Sequence, residues 1–201
     1  MWSIVLFLIC TLTAYLVGSI CSAVIVGRLF DLPDPRQEGS QNPGATNVLR
    51  LAGKKYAIMV LLADMLKGLL PVLMAHVLTA SITLLGLTCL AAVLGHIYPI
   101  FFNFKGGKGV ATAIGALLGF HFLLGALVIV IWVLVAYTTR YSSLASLISI
   151  TLAPLFAMAF SGSIFPFLPL LMMAVLILYQ HLDNIKRLLD GQETKINLGS
   201  S

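Results

Sequence analysis

Apolar residues run through this chain in long unbroken stretches, and polar residues fall into four short clusters. The stretches are Trp2–Gly27, Tyr56–Phe101, Gly109–Thr139 and Ser146–Gln180. Charges gather at Arg28–Lys55, at Lys105 and Lys108, at Arg140, and after His181; only Asp64 and Lys67 lie inside a stretch. A charge at mid-bilayer costs roughly 3 kcal/mol even on the mildest scale, so the clusters mark loops in water. A crossing helix needs about 20 apolar residues. The first stretch therefore predicts one span. The second, 46 residues long, predicts two with a turn near Leu78–Ser81. The fourth predicts two, broken at Ser161-Gly162-Ser163 and then by Pro166 and Pro169.

The third stretch, 31 residues, allows one long tilted helix or two short ones turning near Gly119–Phe122. Two passes would be only about 23 Å each at 1.5 Å per residue, which demands local thinning or partial burial. The positive-inside rule decides for two, because all four charged clusters then share one side. The expectation is an all-α, polytopic membrane helix bundle of seven transmembrane segments, some short, with the N-terminus outside and the C-terminus cytoplasmic. Residues 1–201 read as a single integral membrane domain. The apolar N-terminal residues lack a positive leader region and a small-residue cleavage site, so they read as a retained first span. Strand-period alternation, the mark of a β-barrel, is missing from the sequence.

Composition agrees: of 201 residues, 60% are hydrophobic and only 9% charged, which excludes a soluble globular or a disordered chain. The formal charge of +5 bears on orientation and anionic ligands; no basic run with interleaved aromatics suggests nucleic acid. Cys10, Cys21 and Cys89 lie in apolar runs without a CxxC pair and read as packing residues. Neither HExxH nor metal-like histidine spacing occurs, so neither a metal nor a cofactor is predicted.

Chemistry is concentrated in the polar clusters. In the first, Gly39-Ser40-Gln41-Asn42-Pro43-Gly44-Ala45-Thr46-Asn47, followed by Arg50, offers glycines whose N–H groups can curl toward an anion and neutral side-chain donors beside them. Asn47 or Thr46 is placed to cap a short helix running toward Lys54. The second cluster, Lys105-Gly106-Gly107-Lys108-Gly109, suits a phosphate at the head of a helix but fails the nucleotide-binding phosphate-loop pattern, since Gly109 follows Lys108 where Ser or Thr is required. In the third, Ser143 and Ser146 are three residues apart beyond Arg140; in the fourth, so are His181 and Asn184. Asp64 and Lys67, also three apart, read as an ion pair within one helix.

Together these segments resemble the bacterial acyl-phosphate:glycerol-3-phosphate acyltransferase family. The resemblance rests on GSICSAVI at Gly18–Ile25, GSQNPGATN at Gly39–Asn47, GHIYPIFFNFKGGKGVAT at Gly95–Thr112, RYSSLAS at Arg140–Ser146 and HLDNIKRLLDGQETK at His181–Lys195. It implies an integral enzyme of the bacterial inner membrane, facing the cytoplasm. That enzyme joins acyl phosphate and glycerol 3-phosphate into lysophosphatidic acid and phosphate, beginning phospholipid synthesis. By resemblance the catalytic candidates are Ser40, Arg50, Lys108, Ser146, His181 and Asn184, with Ser143 competing for the serine role. The phosphate-binding candidates are Gly39, Asn42, Gly44, Thr46, Asn47, Lys105, Gly106, Gly107, Gly109 and Ser143. Membrane lipid is the expected surrounding, and nucleic acid is not a partner.

Two positions depart from the family pattern: Cys21 stands where proline is common, and Gln41 where glycine is frequent. The His-x₄-Asp motif of acyl-CoA-dependent acyltransferases is missing from the sequence, because Ser81, Phe101, Ala126 and Lys186 stand five after the four histidines. That argues against acyl-CoA as donor. A transporter of organic anions would place polar sites at mid-membrane, and a lipid-binding scaffold has no use for glycines clustered beside Ser, Asn and His.

Overall fold

A computed structural model describes residues 2–196 and shows α-helices without strands among them. Seven long or apolar helices make the body: α1 (Trp2–Gly18), α4 (Lys54–Leu78), α5 (Ile82–Ile97), α6 (Val110–Phe120), α7 (Phe122–Thr139), α8 (Ser142–Ser161) and α9 (Phe167–Gln180). Three eight-residue helices, α2 (Ser22–Leu29), α3 (Ala45–Ala52) and α10 (Leu182–Leu189), sit at one end with the polar loops. The turns fall at residues 79–81, at His121 and at 162–166. By length and apolarity α4, α7, α8 and the segment Ile82–Phe102 can each cross a membrane. The bent pairs of α1 with α2 and α9 with α10 add two more.

The surface is inverted relative to a soluble protein. Leu70, Val77, Val130, Leu134, Leu168 and Val175 are all exposed, and Val77 is 86% exposed. The core between the helices holds Val72, Cys89, Val93, Leu117, Leu124, Val128, Ile150, Met173 and Ile177. Lipid is as apolar as leucine, so helices here associate through close packing, and small residues permit it. A Cβ added at Gly68 of α4 would strike the Thr112 carbonyl oxygen of α6, and one at Gly115 of α6 the Met65 carbonyl oxygen of α4. Pro71 and Pro154 are buried inside α4 and α8, where neighbouring helices tolerate the lost backbone bond.

Two departures from the sequence expectation matter. The first stretch is a span broken at Ser19-Ile20-Cys21, with a 40° bend. A break leaves carbonyls without helical partners. Ser19 N–H donates to Tyr15 O at 2.8 Å, and the Lys67 ammonium of α4 donates to Ile20 O at 2.7 Å. The intrahelical pair is also present: Lys67 Nζ lies 2.8 Å from Asp64 Oδ1, with both side chains buried. So the two intramembrane charges serve as a clamp on the broken span.

The third stretch turns at His121, inside the expected Gly119–Phe122, and the second departure is that its two helices are unequal rather than about 23 Å each. Helix α6 has 11 residues, roughly 16 Å, and α7 has 18. α6 runs in the same direction as α4, with Gly115 and Gly119 beside Met65 and Leu69, so it begins well below the start of α4. Val110 lies five residues before Gly115 and so sits level with about Val60, roughly 9 Å along the helix axis from Lys54. The glycine loop before α6 thus descends into the bundle. Above α6, helices α4 and α7 flank a gap, since each packs on α6 without packing closely on the other.

Candidate functional site

A cavity of about 820 Å³ opens at the polar end, above the start of α6. The first polar loop forms one wall through Gly39, Ser40, Asn42, Gly44, Thr46 and Arg50. Asn47 holds that wall in shape. Its Oδ1 accepts from Ser40 N–H at 2.9 Å, and its Nδ2 donates to Pro35 O and Glu38 O, each at 3.0 Å. It is 1% exposed and its amide is fully used, so it offers an anion no free donor. Nor does it cap α3, whose N-cap is Gly44. Gln41, standing where glycine is frequent, has φ +57°, a left-handed backbone that explains the preference for glycine.

The glycine loop forms the floor. Gly106, Lys108 and Gly109 line the cavity, and Gly109 at φ +89° turns the chain into α6. Gly107 does not line it; the residue is buried beneath, its N–H donating to His96 O at 3.2 Å. A Cβ on Gly106 would collide with the His96 carbonyl oxygen, and one on Gly107 with the His96 ring. Lys105 points to the exposed surface and is not part of the cavity lining. The ring of His96 is in turn held by Thr112, with Nδ1 and Oγ1 3.0 Å apart, and lies 3.7 Å from Asp64 Oδ1. The loop therefore rests on the same buried polar cluster that clamps the broken first span.

On the opposite wall Lys108 Nζ donates to Asn184 Oδ1, whose Nδ2 donates to Glu193 Oε1 at 2.7 Å. Ser143 Oγ also donates to Glu193 Oε1 at 2.8 Å, and Arg187 Nε lies 2.8 Å from Oε2. Burial works against ionisation of Glu193, but the hydrogen bonds from Arg187, Asn184 and Ser143 outweigh it and hold the carboxyl below its ordinary range. Burial lowers the Lys108 ammonium, and so does the Arg187 charge, while Glu193 and Asp183 oppose both. Among the predicted residues Ser40, Arg50, Lys108, Ser143, Ser146, His181 and Asn184 all reach this one cavity.

Ser146 is engaged twice: its hydroxyl donates to Ser142 O at 2.8 Å and accepts from Trp132 Nε1 at 3.0 Å. His181 stands at the 59° bend between α9 and α10. Its Nδ1 is 2.7 Å from Ile177 O. A carbonyl only accepts, so Nδ1 carries the proton and Nε2 keeps a lone pair. Burial pushes this imidazole down to about 4, helped by the Lys108 charge and opposed by Ile177 O and Glu193. His181 is neutral near pH 7.

Sequence reasoning missed Glu193, Trp132 and the His96 support. For Glu193 a signal existed: Gly191, at φ +68°, reverses the chain so that Gln192 and Glu193 N–H both return to Arg187 O. No group of His, Cys, Asp or Glu among the described residues is arranged to hold a metal ion.

Fold and site together define a multi-pass membrane protein with a recess lined by Lys108, Arg50 and the loop glycines and open to apolar walls. Residues 8–191 match the family model described as glycerol-3-phosphate acyltransferase, and the chain belongs to that family. A curated glycerol-3-phosphate acyltransferase of Legionella pneumophila (strain Corby) is 57% identical over 98% of this chain and 71% of its own length. One of Colwellia psychrerythraea is 54% identical over 92% and 93%. A crystal structure of PlsY (YgiH), an integral membrane glycerol 3-phosphate acyltransferase in its glycerol 3-phosphate form, is also similar. Its TM-score is 0.89 at 40% identity, with 95% of this chain and 96% of that one covered. The lysophosphatidic acid form of PlsY matches with a TM-score of 0.86.

Proposed function

We propose that this protein transfers an acyl chain from acyl phosphate to glycerol 3-phosphate, giving lysophosphatidic acid and phosphate. It does so as a single domain of seven membrane segments in a bacterial inner membrane, N-terminus outside and C-terminus in the cytoplasm. The observation that carries the reading is the convergence of Arg50, Lys108, His181 and Asn184 on one cavity with the Ser40–Thr46 loop and Gly106. Two substrates that each bear a phosphate repel, and bringing them together requires cations and backbone donors on opposite sides of the junction. Lys108 with the Gly106 and Gly109 backbone and the N-terminus of α6 takes one phosphate; Arg50 and the Gly39–Thr46 loop take the other. The remaining walls, Leu61, Met65, Ile114, Ile129 and Val133, are apolar and suit the acyl chain.

In the reaction a glycerol hydroxyl oxygen attacks the acyl carbonyl carbon. The new C–O ester bond forms, the acyl–phosphate C–O bond breaks, and its electron pair leaves with phosphate. Holding the hydroxyl against the carbonyl supplies the proximity advantage. The hydroxyl proton needs an acceptor. His181 at about 4 is a weaker base than a departing phosphate group, whose second ionisation is near 6 or above. The phosphate accordingly takes the proton of the attacking hydroxyl, and His181 Nε2 orients the substrate by accepting a hydrogen bond from its other glycerol hydroxyl. A covalent acyl-serine is disfavoured, because Ser146 gives its hydrogen to Ser142 O and Ser143 gives its own to Glu193.

The test is purified protein with acyl phosphate and glycerol 3-phosphate, following lysophosphatidic acid by mass spectrometry and released phosphate. Product is expected with acyl phosphate and not with acyl-CoA. Absence of product with every acyl phosphate tried rejects the reading.

A further inference from the structure

Beside the polar cavity lies a second, almost wholly apolar one of about 400 Å³. It occupies the gap between α4 and α7 and is lined by Leu49, Ala57, Ile58, Ala136 and Tyr137 among others. Ile58 is 53% exposed and Tyr137 75%, so this groove is open toward the lipid face. The two cavities share five residues: Ala45, Thr46, Leu61, Trp132 and Val133. Trp132 is the bulkiest of them. It is half-buried, and its indole N–H is tied to Ser146 Oγ across the α7–α8 contact at 3.0 Å.

We propose that Trp132 is the partition between the polar cavity and the apolar one and sets which acyl chains the enzyme accepts, rotating only when its bond to Ser146 is broken. The inference rests on the acyl-transfer reading above and names the specificity element of that site. An acyl chain is the one occupant that fits both ends of the arrangement. Its carbonyl must reach the Lys108 side of the first cavity, and its tail must return to lipid through the gap that α4 and α7 leave open. The indole stands where those two requirements meet.

A hydrogen-bonded ring is a more selective wall than a mobile aliphatic chain, because turning it away leaves a buried N–H without a partner. Ser146 thereby acquires a positioning role: its lone pair holds the ring while its own hydrogen stays on Ser142 O. The side chain that resemblance marks as catalytic is instead the anchor of the chain-reading wall.

The experiment compares kcat/KM for dodecanoyl phosphate and octadecanoyl phosphate in the full-length protein and three variants. Trp132→Ala merges the compartments and is expected to shift the ratio toward octadecanoyl by on the order of 10-fold, the discrimination an apolar pocket wall supplies. Val133→Phe fills the same junction and is expected to shift the ratio toward dodecanoyl. Ser146→Ala frees the ring and is expected to relax the ratio in the direction of Trp132→Ala; Ser146→Thr, which keeps the hydroxyl, restores the wild-type ratio. General destabilisation lowers both rates without moving their ratio in opposite directions. If Trp132→Ala fails to fold, the Val133→Phe and Ser146 variants carry the test alone. Ratios unchanged in folded variants overturn the proposal. A wild-type protein inactive with both donors overturns the acyl-transfer reading instead.

Discussion

Replacing Lys67 by Met removes a buried charge and keeps most of the side-chain volume, and so measures what the intramembrane clamp contributes. Lys67 Nζ is 2.8 Å from Asp64 Oδ1 and 2.7 Å from Ile20 O, and both charged side chains are less than a tenth exposed. Without the ammonium, Asp64 is left as an uncompensated buried carboxylate, a loss of about 3–5 kcal/mol. The Ile20 carbonyl, at the break between α1 and α2, loses a donor worth about 1–3 kcal/mol. The two losses share one ammonium and overlap, so about 4 kcal/mol is a conservative sum. For a chain of this size each kcal/mol moves the unfolding midpoint by about 2–4 °C, so Tm in detergent should fall by about 10 °C. Removing both charges, as in Asp64→Asn with Lys67→Met, leaves no unpaired charge and should recover the carboxylate part of that loss, leaving the about 1–3 kcal/mol of the Ile20 carbonyl. Thermal unfolding followed by tryptophan fluorescence decides. A single variant with the wild-type Tm, or a double variant as damaged as the single, refutes the clamp.

Gly107→Ala should raise KM for one of the two substrates, the one whose phosphate rests on the glycine loop, by roughly 5- to 150-fold, the equivalent of 1–3 kcal/mol of overpacking against the His96 ring; an unchanged KM for both removes His96 as the support of the loop. For His181 the folded-state value lies below the ordinary 6.5, so the unfolded chain takes up its proton first. Its contribution to stability is complete above about 6.5 and is lost as pH falls toward about 4. The rate should show no His181 inflection between about pH 5 and 8. A wild-type limb near 6.5 that vanishes in His181→Ala contradicts this. Glu193→Gln removes the charge on which Arg187, Asn184 and Ser143 converge, so trypsin should cut at Lys195 much faster; equal cleavage rates place the hold on the tail elsewhere.

The helical body was legible because charge is expensive in lipid: the stretch between Lys55 and Lys105, charged only at Asp64 and Lys67, has the length of two helices, and the positive-inside rule decided for two between Lys108 and Arg140. The turn at His121 followed from the same argument. That turn leaves only 11 residues for α6, and what no local pattern encodes is how far the glycine loop before it dips into the bundle to rest on His96. The break at Ser19–Cys21 was hidden because Gly18-Ser19-Ile20-Cys21 carries neither charge nor proline, and its partner Lys67 is distant in sequence. In the site, residue type pointed to Arg50, Lys108, His181 and Asn184, which do share a cavity. Type could not separate Lys108 from Lys105, or a free amide from one consumed by its own loop, as in Asn47. Those distinctions depend on which way a glycine-rich backbone turns. The bond of Trp132 to Ser146 joins two helices whose register the sequence does not state.

The most direct test of the central claim, that one recess holds two phosphates across the acyl junction, is the rate of lysophosphatidic acid formation from acyl phosphate by wild-type protein and Lys108→Ala. The account predicts robust formation by the wild type and a loss of more than roughly 100-fold in the variant at unchanged Tm, as expected when a cation facing developing negative charge is removed. A folded Lys108→Ala protein that makes the lipid at a near-normal rate would contradict it.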